Sequence, residues 1–149
     1  MTVMGVPRFE RFFRLAAGLR VDKDDLKAYS DFINRKLYDM LLMAQATAKA
    51  NQRDVVEPYD LPVTKGLQES IHKFEELDAD IELEPVLEQL EALPPLDLVL
   101  SEETEPRLPP LVGAMSLALA RTMRIIDPGL KEPHSVHWDR GFQIFETLL

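Results

Sequence analysis

The chain has no cysteine, so disulfides, thiolate metal sites and cysteine nucleophiles are excluded. Histidine occurs three times and tryptophan once, and Asn34 and Asn51 are the only asparagines. Glycine is sparse, with six in 149 residues, and no Gly-rich phosphate loop or Gly-x-Ser-x-Gly elbow is present. No apolar run approaches the ~20 residues that a membrane span needs. The opening residues lack the uninterrupted apolar stretch of a signal peptide. A reducing cytoplasm is the expected location. Serines are scattered without motif context, so no enzymatic activity and no cofactor are expected, although the plentiful carboxylates leave a paired-acid site open.

What the sequence does have is charge, unevenly spread. The net charge is −9. Residues 1–74 sum to +2 and residues 75–149 to −11. An evenly acidic chain would repel nucleic acid everywhere, whereas this one offers a mildly basic first half.

Long stretches between prolines carry helical periodicity, which predicts an all-α chain. Phe9, Phe12, Phe13, Ala16 and Leu19 mark a short helix from Pro7 to Leu19. Asp22 is the expected N-cap of a long helix, with Asp24 and Asp25 at the positive end of its dipole. Leu26, Tyr29, Ile33, Leu37, Met40, Leu41, Ala44 and Ala48 line one face of an unbroken stretch from Lys23 to Gln52. A β-branched connector, Asp54 to Pro58, leads to a third helix over Leu61–Phe74, with Pro62 in its first turn. Residues 75–82 form an acidic linker, whose bland role is solvation. The order then repeats: a short helix up to Leu93, an apolar connector over Leu96–Leu100, a long helix over Thr104–Ile126, and a short helix through Trp138, Phe142 and Phe145.

Short–long–short, twice, is one domain over 1–149 built from triplets at 7–74 and 83–149. The first triplet resembles the histone fold at residue level. Arg53 follows the long helix, Val55 and Val56 come next, and Asp60 stands seven positions after the arginine, a spacing similar to the second loop of archaeal and core histones. Arg20-Val21-Asp22 resembles the first histone loop. The resemblance implies that Arg53 and Asp60 tie that loop to the third helix. In the second triplet Lys131 has no acid at that spacing, since Asp139 comes eight positions on, so only the layout repeats. Across nearly its whole length the chain resembles small bacterial proteins with two histone folds in one chain. That implies two triplets paired within one chain as a pseudo-dimer, hence a monomer, and no particular activity. A half of ~70 residues is marginal alone, which favours a shared core.

Two sets of residues invite chemistry. Arg8, Arg11, Arg14, Arg20, Lys23, Lys49 and Arg53 sit at the first helix and the two connectors, where histones grip the DNA backbone. Against this stand the flanking acids Asp22, Asp24, Asp25, Asp54 and Glu57, and a second half too acidic to supply a matching grip. His134, His137 and Asp139 could ligate Zn²⁺, although a fourth ligand is missing and a packed or capping histidine explains them as well. The expected function is a non-enzymatic protein-interaction or architectural module with an unidentified protein partner. The alternative is a divergent histone-like DNA-binding protein, and the third reading is a helical enzyme or metal-binding protein using carboxylates or the histidine run.

Overall fold

The computed structural model describes residues 2–149 and is mostly helical. Helix α1 (Val6–Ala17) has Pro7 in its first turn and ends at Gly18, whose φ of 65° closes the helix in the left-handed region that glycine tolerates. Helix α2 (Lys23–Ala50) has 28 residues, ~42 Å at the standard rise. Asp22 caps it, accepting from the Asp24 N–H, while Asp25 reaches back to the Asp22 N–H. Strand β1 (Val55–Val56) and a 3₁₀ turn (Pro58–Asp60) precede α3 (Lys65–Glu76). Helix α4 (Leu83–Glu91), strand β2 (Val99–Leu100), a second 3₁₀ turn (Glu105–Arg107), α5 (Leu108–Ile126) and α6 (Ser135–Leu148) complete the order.

Two helix starts differ by four residues from the sequence expectation. The third helix begins at Lys65 rather than Leu61, because Asp60 is spent in the 3₁₀ turn and Thr64 caps the helix through the Leu67 N–H. The second long helix begins at Leu108 rather than Thr104. The Thr104 hydroxyl donates instead to the Val56 carbonyl, and Pro109 and Pro110 occupy a first turn whose N–H groups have no helical partner anyway.

A small element departs from the all-α expectation. β1 and β2 form a parallel two-stranded pair, with Val55 opposite Val99 and Val56 opposite Leu100. It joins the connector after α2 to the connector before α5. A second link joins the remaining two connectors, where the Arg20 N–H donates to the Lys131 carbonyl at 2.7 Å.

Helix α5 is the centre of the molecule. Leu111, Val112, Ala114, Met115, Leu119, Ala120 and Met123 are buried around its whole circumference, and α1, α2, α3, α4 and α6 all touch it. A helix apolar on every side is stable only when it is enclosed. Gly113 lets α3 come close, since a Cβ there would stand 2.4 Å from the Phe74 ring. Phe9 and Phe13 of α1, Tyr29 of α2 and Trp138 of α6 pack as one aromatic cluster, with ring centroids 5.0 to 6.4 Å apart. Aromatic rings carry much of the burial energy of a core, so this cluster binds the first helix to the last. The Tyr29 hydroxyl donates to Ser116 Oγ at 2.6 Å, and Ser116 in turn donates to the Val112 carbonyl. Among the described residues no helix is long and apolar enough to cross a membrane.

Candidate functional site

The second connector is built around Arg53 and Asp60. Helix α2 runs out at Asn51, Gln52 takes a left-handed φ of 55°, and the Arg53 N–H returns to the Ala48 carbonyl. This turn aims the Arg53 side chain at the 3₁₀ segment. Its two terminal nitrogens donate to the two Asp60 oxygens at 2.5 and 2.6 Å. Asp60 also accepts the Glu57 N–H at 2.8 Å. Its side chain is fully buried. The Arg53 hydrogen bonds hold the Asp60 carboxyl below the ordinary carboxylate value, and the same bonds raise the Arg53 guanidinium. The guanidinium lies 4.9 Å from the centroid of the Tyr59 ring, which is exposed.

The candidate nucleic-acid cations do not form one patch. Lys23 and Lys49 lie at opposite ends of α2. Most of the others are matched by acids distant in the sequence. Arg8 pairs with Glu82 at 3.0 Å and Arg11 with Asp78 at 2.9 Å, so the acidic linker folds its charges back onto α1. Arg20 pairs with Glu132 at 3.0 Å and Lys49 with Asp97 at 2.6 Å. Arg53 is committed to Asp60. Among the described residues only Arg14 and Lys23 of this set form no ion pair. Arg35 and Lys36 of α2 likewise meet Glu146 of α6, at 3.2 and 3.1 Å. Lys36 is buried, whereas the other pairs are exposed at their cations apart from Arg53; exposed pairs add little stability, but they cancel the local field that would attract phosphate.

The histidine run is structural in its geometry. The His137 ring accepts the His134 N–H at Nδ1, 2.9 Å away, completing a capping box at the start of α6. Its Nε2 meets Asp127 Oδ2 at 3.2 Å. With Nδ1 accepting, Nε2 carries the proton, so neither nitrogen offers a lone pair to a metal. Asp139 is exposed further along α6, and no group of three metal-ligating side chains assembles among the described residues. The second triplet closes its connector without an Arg–Asp pair. Arg124 donates to the Leu130 carbonyl, and Asp127 holds His137. Backbone acceptors of this kind leave no mark in a sequence.

An acid-rich cleft beside the first connector is lined by Asp22, Asp24, Asp25, Glu132 and His134. Burial raises the Asp25 carboxyl above the ordinary carboxylate value. Both of its oxygens are engaged, Oδ1 by the Trp138 indole N–H at 3.2 Å and Oδ2 by the Asp22 N–H at 3.2 Å.

This architecture recurs in solved proteins. A crystal structure of a protein from Thermus thermophilus is 50% identical and covers 99% of each chain, with a TM-score of 0.95. A crystal structure of an Aquifex aeolicus protein has a TM-score of 0.79 at 20% identity, covering 96% of this chain and 94% of its own, a likeness of fold. By sequence, the chain is similar to two uncharacterized proteins of Aquifex aeolicus (strain VF5). One is 29% identical over 137 residues, which is 83% of this chain and 80% of the relative. The other is 21% identical over 120 residues, which is 80% and 70%. A family model matches residues 9–146. With nearly the whole chain inside that match, the protein belongs to the DUF1931 family, a domain of unknown function.

Proposed function

We propose that this chain is a histone-fold pseudo-dimer acting as a non-enzymatic protein-interaction or architectural module, with most of its DNA-gripping positions matched by acids. The observation that carries this reading is the matching of first-half cations by acids of the linker and second half: Arg8 with Glu82, Arg11 with Asp78, Arg20 with Glu132 and Lys49 with Asp97. A cation already neutralised releases no counterions on meeting a phosphate, and counterion release supplies most of non-specific DNA affinity. The pseudo-dimer reading draws support from the two links between connectors. The parallel β1–β2 pair joins the second connector of the first triplet to the first of the second, and the Arg20–Lys131 bond joins the other two. That reciprocal arrangement is what two triplets related by an approximate two-fold would make, and it satisfies both halves within one chain of 17.0 kDa.

Two features favour an interaction role over catalysis. Asp25, Tyr29, Arg53 and Asp60, whose pKa values are shifted, are spent on caps, ties and core contacts. An open apolar groove of about 490 Å³ lies at the end of the chain, lined by Ile126, Ile144 and Leu148 with Arg140 beside them. Exposed apolar surface of that kind suits a protein partner.

The test is a mobility-shift titration with random-sequence duplex DNA at low and at near-physiological salt. The expected result is no shift at either. A shift that tightens steeply at low salt and weakens in Arg11→Ala, Arg14→Ala and Arg20→Ala would instead establish a histone-like DNA binder.

A further inference from the structure

Four cations from four separate segments converge on one concave site. Arg14 of α1, Arg20 of the first connector, Arg124 in the last turn of α5 and Lys131 of the connector before α6 line a pocket of about 330 Å³. Leu19 and Val21, both buried, give it apolar walls, and Glu10 is its one carboxylate.

The pocket is held by backbone contacts rather than by ion pairs. The Arg20 N–H bond to the Lys131 carbonyl fixes the two connectors side by side. Arg124 donates through one terminal nitrogen to the Leu130 carbonyl, which anchors its guanidinium. The other terminal nitrogen reaches towards the end of α1, where a Cβ on Gly18 would lie 3.9 Å away. Among the described residues Arg14, Arg124 and Lys131 make no ion pair, and neither does Glu10. Arg20 alone is paired, with Glu132, and both side chains are largely exposed. The unmatched charge is therefore that of Arg14, Arg124 and Lys131. In a chain of net charge −9 this concentration of unmatched positive charge stands out. A concave wall of low dielectric focuses its field.

We propose that this pocket binds a small, multiply charged phosphate anion: inorganic phosphate or pyrophosphate, free or as the terminal phosphate of a larger metabolite. Guanidinium forks match phosphate oxygens two at a time, and an anchored fork loses little entropy on binding. The volume lies near the lower end of the ~300–1,000 Å³ of small-ligand pockets. Duplex DNA fits less well. The adjoining cleft shares Glu10 and Arg20 with this pocket and is edged by Asp22, Asp24, Asp25 and Glu132. A duplex crossing the first connector would run over those acids, whereas a small anion meets only Glu10 and, across Arg20, Glu132. At the far end of α2 the cations are already committed, Lys49 to Asp97 and Arg53 to Asp60, so a duplex would find no second grip.

The test is isothermal titration of the whole chain with sodium pyrophosphate and with inorganic phosphate at low ionic strength. Pyrophosphate should bind, and its affinity should fall about tenfold or more in Arg14→Gln and in Lys131→Gln, as a lost charged hydrogen bond dictates. Arg8→Gln, whose guanidinium sits against Glu82, should bind as the wild type does. Thermal unfolding checks that each variant is folded. Absence of binding at millimolar pyrophosphate overturns the assignment, as does equal affinity in all three variants. Duplex DNA that displaces pyrophosphate and binds more tightly would also overturn it and assign the pocket to phosphodiesters.

Discussion

Replacing Asp60 by alanine should cost about 2–3 kcal/mol, and the structure sets that range. The fully buried carboxylate accepts two hydrogen bonds from Arg53 and one from the Glu57 N–H. A hydrogen bond to a charged group contributes ~1.5–3 kcal/mol net. The three are not additive, because a released guanidinium can turn to water. The Arg53 side chain is already 28% exposed, so it regains hydration readily. The cost therefore falls below the ~3–5 kcal/mol of breaking a fully buried pair. At this chain length it corresponds to a fall in Tm of roughly 5–10 °C. Urea unfolding followed by fluorescence gives the measurement cleanly, because Trp138 is the single tryptophan and lies in the shared aromatic cluster. Asp60→Asn keeps one oxygen acceptor and the volume, so its cost should be smaller. It should also alter the acid limb. Arg53 holds the Asp60 carboxyl below its ordinary value of 3.8. The stability it adds is therefore complete above that value and is lost as pH falls through the lower folded value. Asp60→Asn cannot titrate, so its stability should decline less steeply below pH 3.8 than that of the wild type. A change under ~0.5 kcal/mol for the alanine variant, the size of an ordinary surface substitution, would refute the tie as the anchor of this connector.

Two further outcomes follow from core geometry. Ser116→Ala leaves the buried Tyr29 hydroxyl without its acceptor and should cost ~1–3 kcal/mol, while Tyr29→Phe leaves Ser116 bonded to Val112 and should cost less, so thermal unfolding should rank the serine variant as the weaker. Gly113→Ala would drive a methyl into the Phe74 ring, and despite the better helix propensity of alanine it should lower stability by ~1–3 kcal/mol in urea titrations, with Phe74→Leu partly relieving the loss in the double variant.

Much of the architecture can be read from the chain because its signals are local. The apolar stripe from Leu26 to Ala48, the Asp22 cap and the seven-residue spacing of Arg53 and Asp60 each reside within one element or one connector. The start of α3 escapes such a reading because Asp60 looks equally like a cap and like the acid of the 3₁₀ turn, and only the return hydrogen bond from Glu57 decides. The β1–β2 pair is invisible because two residues on each side carry no periodicity. At the candidate sites apart from Arg53 and Asp60, each cation is visible but its partner is not. Asp78 and Glu82 read as solvating linker residues, and nothing in their spacing points across the chain to Arg11 and Arg8. Arg124 and Lys131 count only as sparse charges in an acidic half until the fold sets them beside Arg14 and Arg20.

The two links between connectors bear on how the chain reaches this structure. Val55 must wait for Val99, and Arg20 for Lys131, near the opposite end of the polypeptide. The Arg53–Asp60 tie forms within its own connector, but the two links between connectors need both halves, so local helix formation meets a closure step that involves almost the entire chain. Loop closure of that span has to be completed before it is rewarded, which places the folding rate below that of simple helical bundles built from neighbouring contacts. The same dependence is expected to make unfolding cooperative, since a chain that opens at one connector loses the support of the other half's connector as well.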